Sequence, residues 1–481
     1  MPLFLLILAL QGVPQGNAEI QRLAPRDTVA VSLPAAVQRG LLLGDEARSA
    51  ATQVDVADAQ VTIARAAGLP QLRFNGSQSH VMQSARASAV GAIFNQPNTY
   101  TANATLSQTL FQGGRIMAAS RAARQVRGAA RLNRAETTAQ VSLDVQRAYL
   151  DALFARNLAD IQDTSLALAS ARLAQVQEFL RAGRASRYDV LRAGVERANI
   201  EPAAIQARSD VELALIELKR LINIPFDQPI KLTTVIDTAS VVAWVDRLLQ
   251  DPAPTERPAV RAAELVADAR HAGVRVAKAD LLPSITFTGL VGAQAFPLNG
   301  FPRTRGRFET VPCPADSPAD RVCTAQNGGW FGDRSFGIQI GLPLFDGFRA
   351  KGAIDLASAQ ARLADLELAQ IRESVASEGA AARAELDRAQ AAFAARGQNA
   401  EQALEAFRLA ELRQTRGLAT QLEVADAQLA LTIARTNEAR AVYDLYLAAA
   451  SYARALGRPP HGFDVDSPTP LSLPLAPTNA P

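Results

Sequence analysis

Along short stretches of the chain, apolar and polar residues alternate strictly. Phe336, Ile338, Ile340, Leu342 and Leu344 alternate with Ser335, Gly337, Gln339 and Gly341. Leu72, Phe74 and Gly76 alternate with Arg73, Asn75 and Ser77, and Ile285, Phe287 and Gly289 with Ser284, Thr286 and Thr288. Tyr100, Ala102, Ala104 and Leu106 do so more weakly against Thr101, Asn103 and Thr105. A period of two predicts four strands, each with one apolar and one polar face. Segments of about ten residues with this pattern fit strands set between lipid and water. Taken alone, they fit the half-buried sheet of a soluble domain better.

Much longer stretches carry the helical period. Arg115 to Arg181 contains no proline, and neither does Arg349 to Arg416. At 1.5 Å per residue each would form a helix about 100 Å long, several times the usual length. Val141, Val145, Ala148, Ala152, Ala155 and Ala159 step by four and three alternately, a heptad seam of small residues that lets helices approach closely. Gly128, Gly379 and Gly397 lie inside these stretches and should each cost about 1 kcal/mol unless packing offsets it. Arg181-Ala-Gly183-Arg-Ala-Ser186 and Thr415-Arg-Gly417-Leu-Ala-Thr420 read as a glycine C-cap followed by a Ser or Thr N-cap. Return helices then run from about Arg187 to Ile222, with Pro202 expected to interrupt or kink it, and from Gln421 to Leu456. Shorter helices, Pro34 to Ala67 and Pro258 to Asp280, precede the strands and end at Leu69-Pro70 and Leu282-Pro283.

The chain is a duplication. Leu-Pro-x-(Leu/Ile)-x-Phe-x-Gly occurs from Leu69 and again from Leu282, an offset of 213. Leu110-Phe111-Gln-Gly113-Gly-Arg115 returns as Leu344-Phe345-Asp-Gly347-Phe-Arg349, an offset of 234 that also relates Gly183 to Gly417 and Pro225 to Pro459. The change of offset places one insertion between Gly289 and Leu344, and both cysteines lie in it. The reading is a signal segment over 1–18, a first repeat over 19–225, a proline-rich connector over 226–257 around the apolar stretch Val241 to Leu249, a second repeat over 258–458, and a disordered Pro-rich tail over 459–481.

Composition narrows the function. The 481 residues are poor in aromatics and carry a net charge of +3, with no concentrated basic face of the kind that binds nucleic acid. Met1 to Leu10 is apolar and leads into small and polar residues, a secretory signal with a cut after Ala18 but no basic start. No cysteine follows it, so no lipoprotein site is expected. No later run is long and apolar enough for a membrane-spanning helix, whereas strands remain possible. No nucleotide, hydrolase, zinc-protease or Cys/His motif is present, so no enzyme activity, cofactor or metal is expected. His80, His271 and His461 are scattered.

Four strands cannot close a barrel, and an open edge cannot face lipid. A membrane protein of this kind must associate. The paired Leu-Pro-x-x-x-Phe-x-Gly segments, the paired Leu-Phe-x-Gly-x-Arg corners and the tips Gly183…Tyr188-Asp189-Val190-Leu191 and Gly417…Leu422-Glu423-Val424 together resemble the TolC family of outer-membrane channels over essentially the whole mature chain. The resemblance implies a mainly α fold with a membrane β-barrel part: a homotrimer whose twelve-stranded barrel sits among outer-membrane lipid and continues into a periplasmic α-helical tunnel. It implies an exit duct for efflux or type I secretion, working with a periplasmic adaptor protein and an inner-membrane pump. By the family's pattern Glu423 and Asp426 would form carboxylate rings at the tunnel's gate; the alternative is two solvated acids. Asp189 is a gate candidate too, but as an acid near a helix start it also suits the macrodipole. Gly183, Arg184, Gly417 and Leu418 are placed to contact the adaptor. Cys313 and Cys323, in a loop that would face the oxidising exterior, are expected to form a disulfide. Trp330 and Phe331 suit either the lipid–water interface or a loop anchor. A soluble periplasmic coiled-coil scaffold is the rival reading, but it leaves the signal segment and the strands unexplained.

Overall fold

The structure, a computed structural model, describes residues 28–83, 97–250, 256–313 and 322–460. The signal segment, His461 and the tail beyond Pro460 lie outside the described residues. The elements in chain order are β1 (Val29–Val31), α1 (Leu33–Leu43), α2 (Asp45–Ala66), β2 (Gln71–His80), β3 (Asn98–Gln112), α3 (Arg115–Arg181), α4 (Arg187–Leu221), β4 (Ile230–Leu232), α5 (Thr238–Gln250), α6 (Pro258–Lys278), β5 (Ser284–Ala295), β6 (Phe308–Val311), β7 (Cys323–Gln326), β8 (Trp330–Gly341), α7 (Arg349–Thr415) and α8 (Gln421–Ala455).

The duplication is visible in the helix lengths. α3 and α7 are 67 residues each, and α4 and α8 are 35 each. Each long helix packs along its own return helix, α3 on α4 and α7 on α8. In the upper half, α2, α3, α6 and α7 lie side by side in that order. Above them β2, β3, β5 and β8 form one antiparallel sheet in the same order. Strand order and helix order agree, so each strand continues into the helix beneath it.

Three expectations change. The first helix is two helices, because Gly44 turns extended (ψ 137°) between α1 and α2. A Cβ there would stand 2.3 Å from the Gly40 carbonyl oxygen, so only glycine fits. Pro202 does not interrupt α4. Pro202 and Ala198, whose carbonyl loses its donor, are both exposed, so water can satisfy the orphaned oxygen. β8 stops at Gly341 rather than reaching Leu344, since Pro343 has no N–H for a ladder.

The core is a belt at mid-height. The heptad seam from Val141 to Ala159 is buried as its period requires. It meets Leu386 and Ala389 of α7 and Tyr446, Ala449 and Ala453 of α8. The connector closes the belt: its apolar stretch forms α5, which seats Trp244, Val245 and Leu248 in the core, and β4 pairs in parallel with β1. Tyr149 locks this joint by donating to the Val31 carbonyl (2.8 Å) and accepting from the Thr234 amide (3.2 Å). Gly128 sits where a Cβ would come 2.9 Å from Leu265, so its helix cost supports close α3–α6 packing. Gly379 and Gly397 have no atom within 4 Å that such a contact would serve.

Candidate functional site: sheet, tips and groove

Residues opposite one another in an antiparallel ladder share a face. The register therefore sorts the sheet. One face carries Leu72 and Phe74, Leu106 and Ala104, Phe287 and Val291, and Phe336, Ile338 and Ile340. The other carries Arg73, Asn75, Ser77, Thr101, Asn103, Thr105, Thr286, Thr288, Ser335 and Gln339. The polar face binds itself: Ser77 and Thr101 hydroxyls lie 2.6 Å apart, and Asn75 donates to Asn103 at 3.4 Å. Among the described residues nothing covers the apolar face, and Phe336 is 87 % exposed. Toward the loop end the same face of β8 carries Arg334, opposite Val291, before it reaches Trp330, so the apolar run on that strand is Phe336 to Ile340. Among the described residues no helix is long and apolar enough to cross a membrane. β2 and β8 leave their outer edges unpaired among the described residues.

Trp330 and Phe331 point to opposite faces. Trp330 donates its indole N–H to the Pro302 carbonyl (3.0 Å) and meets Phe301. Phe331 packs against Phe308 of the β6–β7 hairpin. Both anchor the inserted loop. Within it Cys313 and Cys323 are joined as a disulfide, with Cα atoms 5.2 Å apart.

At the base of the sheet the two corner arginines converge. Arg115 pairs with Asp280, and Arg349 reaches the other oxygen of the same carboxylate at 3.9 Å. One aspartate thus ties the starts of both long helices to the end of α6. The repeat showed the arginines; Asp280 has no counterpart in the motif and is found only in three dimensions.

The opposite end of the shaft carries two tips of the same build. Gly183 (φ 71°) and Gly417 (φ 72°) adopt the left-handed conformation. The amides of Arg184 and Leu418 close back on the Phe179 and Arg413 carbonyls, both at 2.8 Å. The Arg184 guanidinium lies over the Phe179 ring, 4.8 Å from its centre. Each return helix then opens with a capping box, Ser186 with Asp189 and Thr420 with Glu423.

These boxes separate the gate candidates. Asp189 accepts from its Ser186 hydroxyl (2.7 Å) and amide (2.9 Å), and these hydrogen bonds hold its carboxyl below the ordinary value. It serves the helix start and makes no ion pair across the tip among the described residues. Glu423 accepts from the Thr420 amide (3.1 Å), with Arg413 3.9 Å away. Its carboxylate is committed to the cap, a role that the spacing Thr420-x-x-Glu423 already encodes. Asp426 is exposed and has neither bond. It borders a groove of about 690 Å³ between α4 and α8, floored by α3, with Arg192, Glu196, Leu429 and Ile433. Gly183, Arg184, Gly417 and Leu418 are exposed at the extreme ends.

A strand anchor with a lipid-compatible face, set on a shaft of helices about 100 Å long, defines the class: a membrane protein held by strands that reaches far from the bilayer. The family follows from the sequence, since the model of the outer membrane efflux protein family matches residues 45–223 and 249–458, and the chain belongs to that family. It is an outer-membrane efflux protein. Comparison with curated protein sequences gives no match. Solved structures share the fold. The open-state MtrE outer membrane channel of Neisseria gonorrhoeae is 22% identical, with a TM-score of 0.65 over 90% of this chain and 89% of that one. The CmeC outer membrane channel of Campylobacter jejuni is 16% identical, with a TM-score of 0.72 over 88% and 85%. The outer membrane protein VceC of Vibrio cholerae is 20% identical, with a TM-score of 0.67 over 89% and 97%.

Proposed function

We propose that three copies of the chain close one conduit, which carries small molecules or polypeptides from an inner-membrane pump to the exterior. The observation that supports this is the four-stranded sheet itself: among the described residues it has an apolar face without cover and two unpaired edges. Lipid cannot satisfy an edge, so β8 of one copy pairs with β2 of the next until the ring closes. The same joint sets α7 beside the next α2, which continues the barrel as a helical tunnel. Its tips, built on Gly183–Arg184 and Gly417–Leu418, meet a periplasmic adaptor. Asp426, free of the cap, supplies the carboxylate ring at the entrance, and Glu423 and Asp189 hold the tip in shape. Such a ring favours cations. Planar-bilayer recording tests the proposal. Discrete steps with cation preference are expected; an assembled protein that inserts but passes no current would contradict it.

A further inference from the structure

Just beneath the sheet, between the first turns of α3 and the last turns of α6, lies a groove of about 560 Å³. Arg121, Arg124, Arg275 and Lys278 line it. All four are exposed, and among the described residues none of their side chains makes an ion pair or hydrogen bond. Neighbouring acids are already engaged: Asp280 by Arg115 and Arg349, and Asp58 by Arg127 and Arg131. Four uncompensated cations in one groove repel one another and call for an anion from outside the chain.

The cluster is not a by-product of the duplication. At offsets of 234 and 213 the equivalent positions are Asp355, Ser358, Thr62 and Arg65. In the trimer proposed above, a second copy does not cover it either. Copies join at the outer strands β2 and β8 and the helices beneath them, α2 and α7, whereas α3 and α6 are the inner pair of each chain. Two apolar side chains complete the lining, Met117, 76 % exposed, and Leu282, 47 % exposed. They sit just below the ends of β3 and β5, where, with the sheet read as lying in the membrane, the bilayer gives way to the periplasm. An occupant must offer negative charge and hydrocarbon together. A soluble anion would leave Met117 and Leu282 wet.

The geometry points to a binding site for an anionic phospholipid of the periplasmic leaflet, one in each chain. Arg121, Arg124, Arg275 and Lys278 hold the phosphate, since guanidinium pairs bind phosphate bidentately, and Met117 and Leu282 receive the upper acyl chain. Basic pockets at the foot of membrane elements bind headgroups in this way. The site rests on the reading that the sheet lies in the membrane.

The test reconstitutes the full protein in nanodiscs of phosphatidylcholine containing a minor share of phosphatidylglycerol, and counts lipids retained on release by native mass spectrometry. At least tenfold enrichment of phosphatidylglycerol over the bulk ratio is expected. The pair Arg124→Gln and Arg275→Gln should bring it near the bulk ratio without affecting insertion, and 10 mM inorganic phosphate should not displace the lipid. A protein that inserts yet retains lipids at the bulk ratio overturns the site alone. So does complete displacement by inorganic phosphate, which would mark a free-anion site. A protein that never enters the discs overturns the membrane reading on which the site depends.

Discussion

The guanidinium of Arg257 lies 2.7 Å from Glu136, although 121 residues separate them, and it also holds Glu378 of α7. Arg454 of α8 contacts the same two carboxylates at 2.9 and 2.6 Å. Two cations and two anions alternate in a ring that joins α3, the start of α6, α7 and α8. Arg257 is only 6 % exposed. Removing Arg257 leaves Arg454 alone against two carboxylates and costs charged hydrogen bonds of about 1.5–3 kcal/mol. Arg257→Met should therefore lower the unfolding midpoint of the assembled protein by several degrees. An unchanged midpoint would show that the ring is not a structural joint.

The ring also sets a pH limit. Burial opposes charge on Glu378, but the Arg257 hydrogen bond and the Arg454 charge outweigh it and hold the carboxyl below its ordinary value of 4.5. A depressed folded value means that its stabilisation is present above 4.5 and lost as pH falls through the lower folded value. The melting temperature should fall below about pH 4.5, and the fall should be shallower in Glu378→Gln.

The two faces of β8 should respond oppositely to the same charge. Ile338→Arg places a cation on the lipid side below mid-height, at a cost of about 1–3 kcal/mol. Gln339→Arg, one residue on, faces the lumen. Folding yield into lipid vesicles should drop for the first and hold for the second. Equal losses would mean that the faces are assigned wrongly.

At the tips, Thr420→Ala removes the hydroxyl that caps the Glu423 amide at 3.3 Å. The loss is about 1 kcal/mol, so amide exchange at Glu423 should quicken about fivefold while the mid-height belt is unaffected. Gly417→Ala forces a Cβ into left-handed backbone, costs about 1–2 kcal/mol, and should weaken capture by the periplasmic adaptor.

Asp426 and Glu423 should separate in conductance. Asp426→Asn should reduce cation preference severalfold, because that carboxylate is free. Glu423→Gln should change selectivity less but loosen the tip, because its oxygen serves Thr420. The reverse order would place the ring at Glu423.

Long-range order was legible wherever a period carried it. The proline-free stretches announced α3 and α7, and the alternation at Phe336–Ile340 announced the faces of the sheet. The tip turns were legible because the glycine C-cap and the Ser or Thr N-cap lie within a few residues of each other, whereas the capping role of Glu423 was not read from Thr420-x-x-Glu423. What stayed hidden was chemistry assembled across the chain. Arg257, Glu136, Glu378 and Arg454 sit at unrelated positions on four helices, and no periodicity links them. Asp280 reads as one more acid at a helix end until both corner arginines arrive beside it. The same holds for Arg121 and Arg275, 154 residues apart in sequence, which meet only because β3 and β5 pair. The break at Gly44 arises from a backbone approach that leaves no room for a side chain, and sequence alone does not report it.

The central claim is that the unpaired edges of β2 and β8 close against further copies. The most direct test is the detergent-corrected native mass of protein extracted from outer membranes. A mass of three chains is predicted, with the β2 and β8 edge amides protected from exchange. A monomer with exchanging edges would contradict the shared barrel.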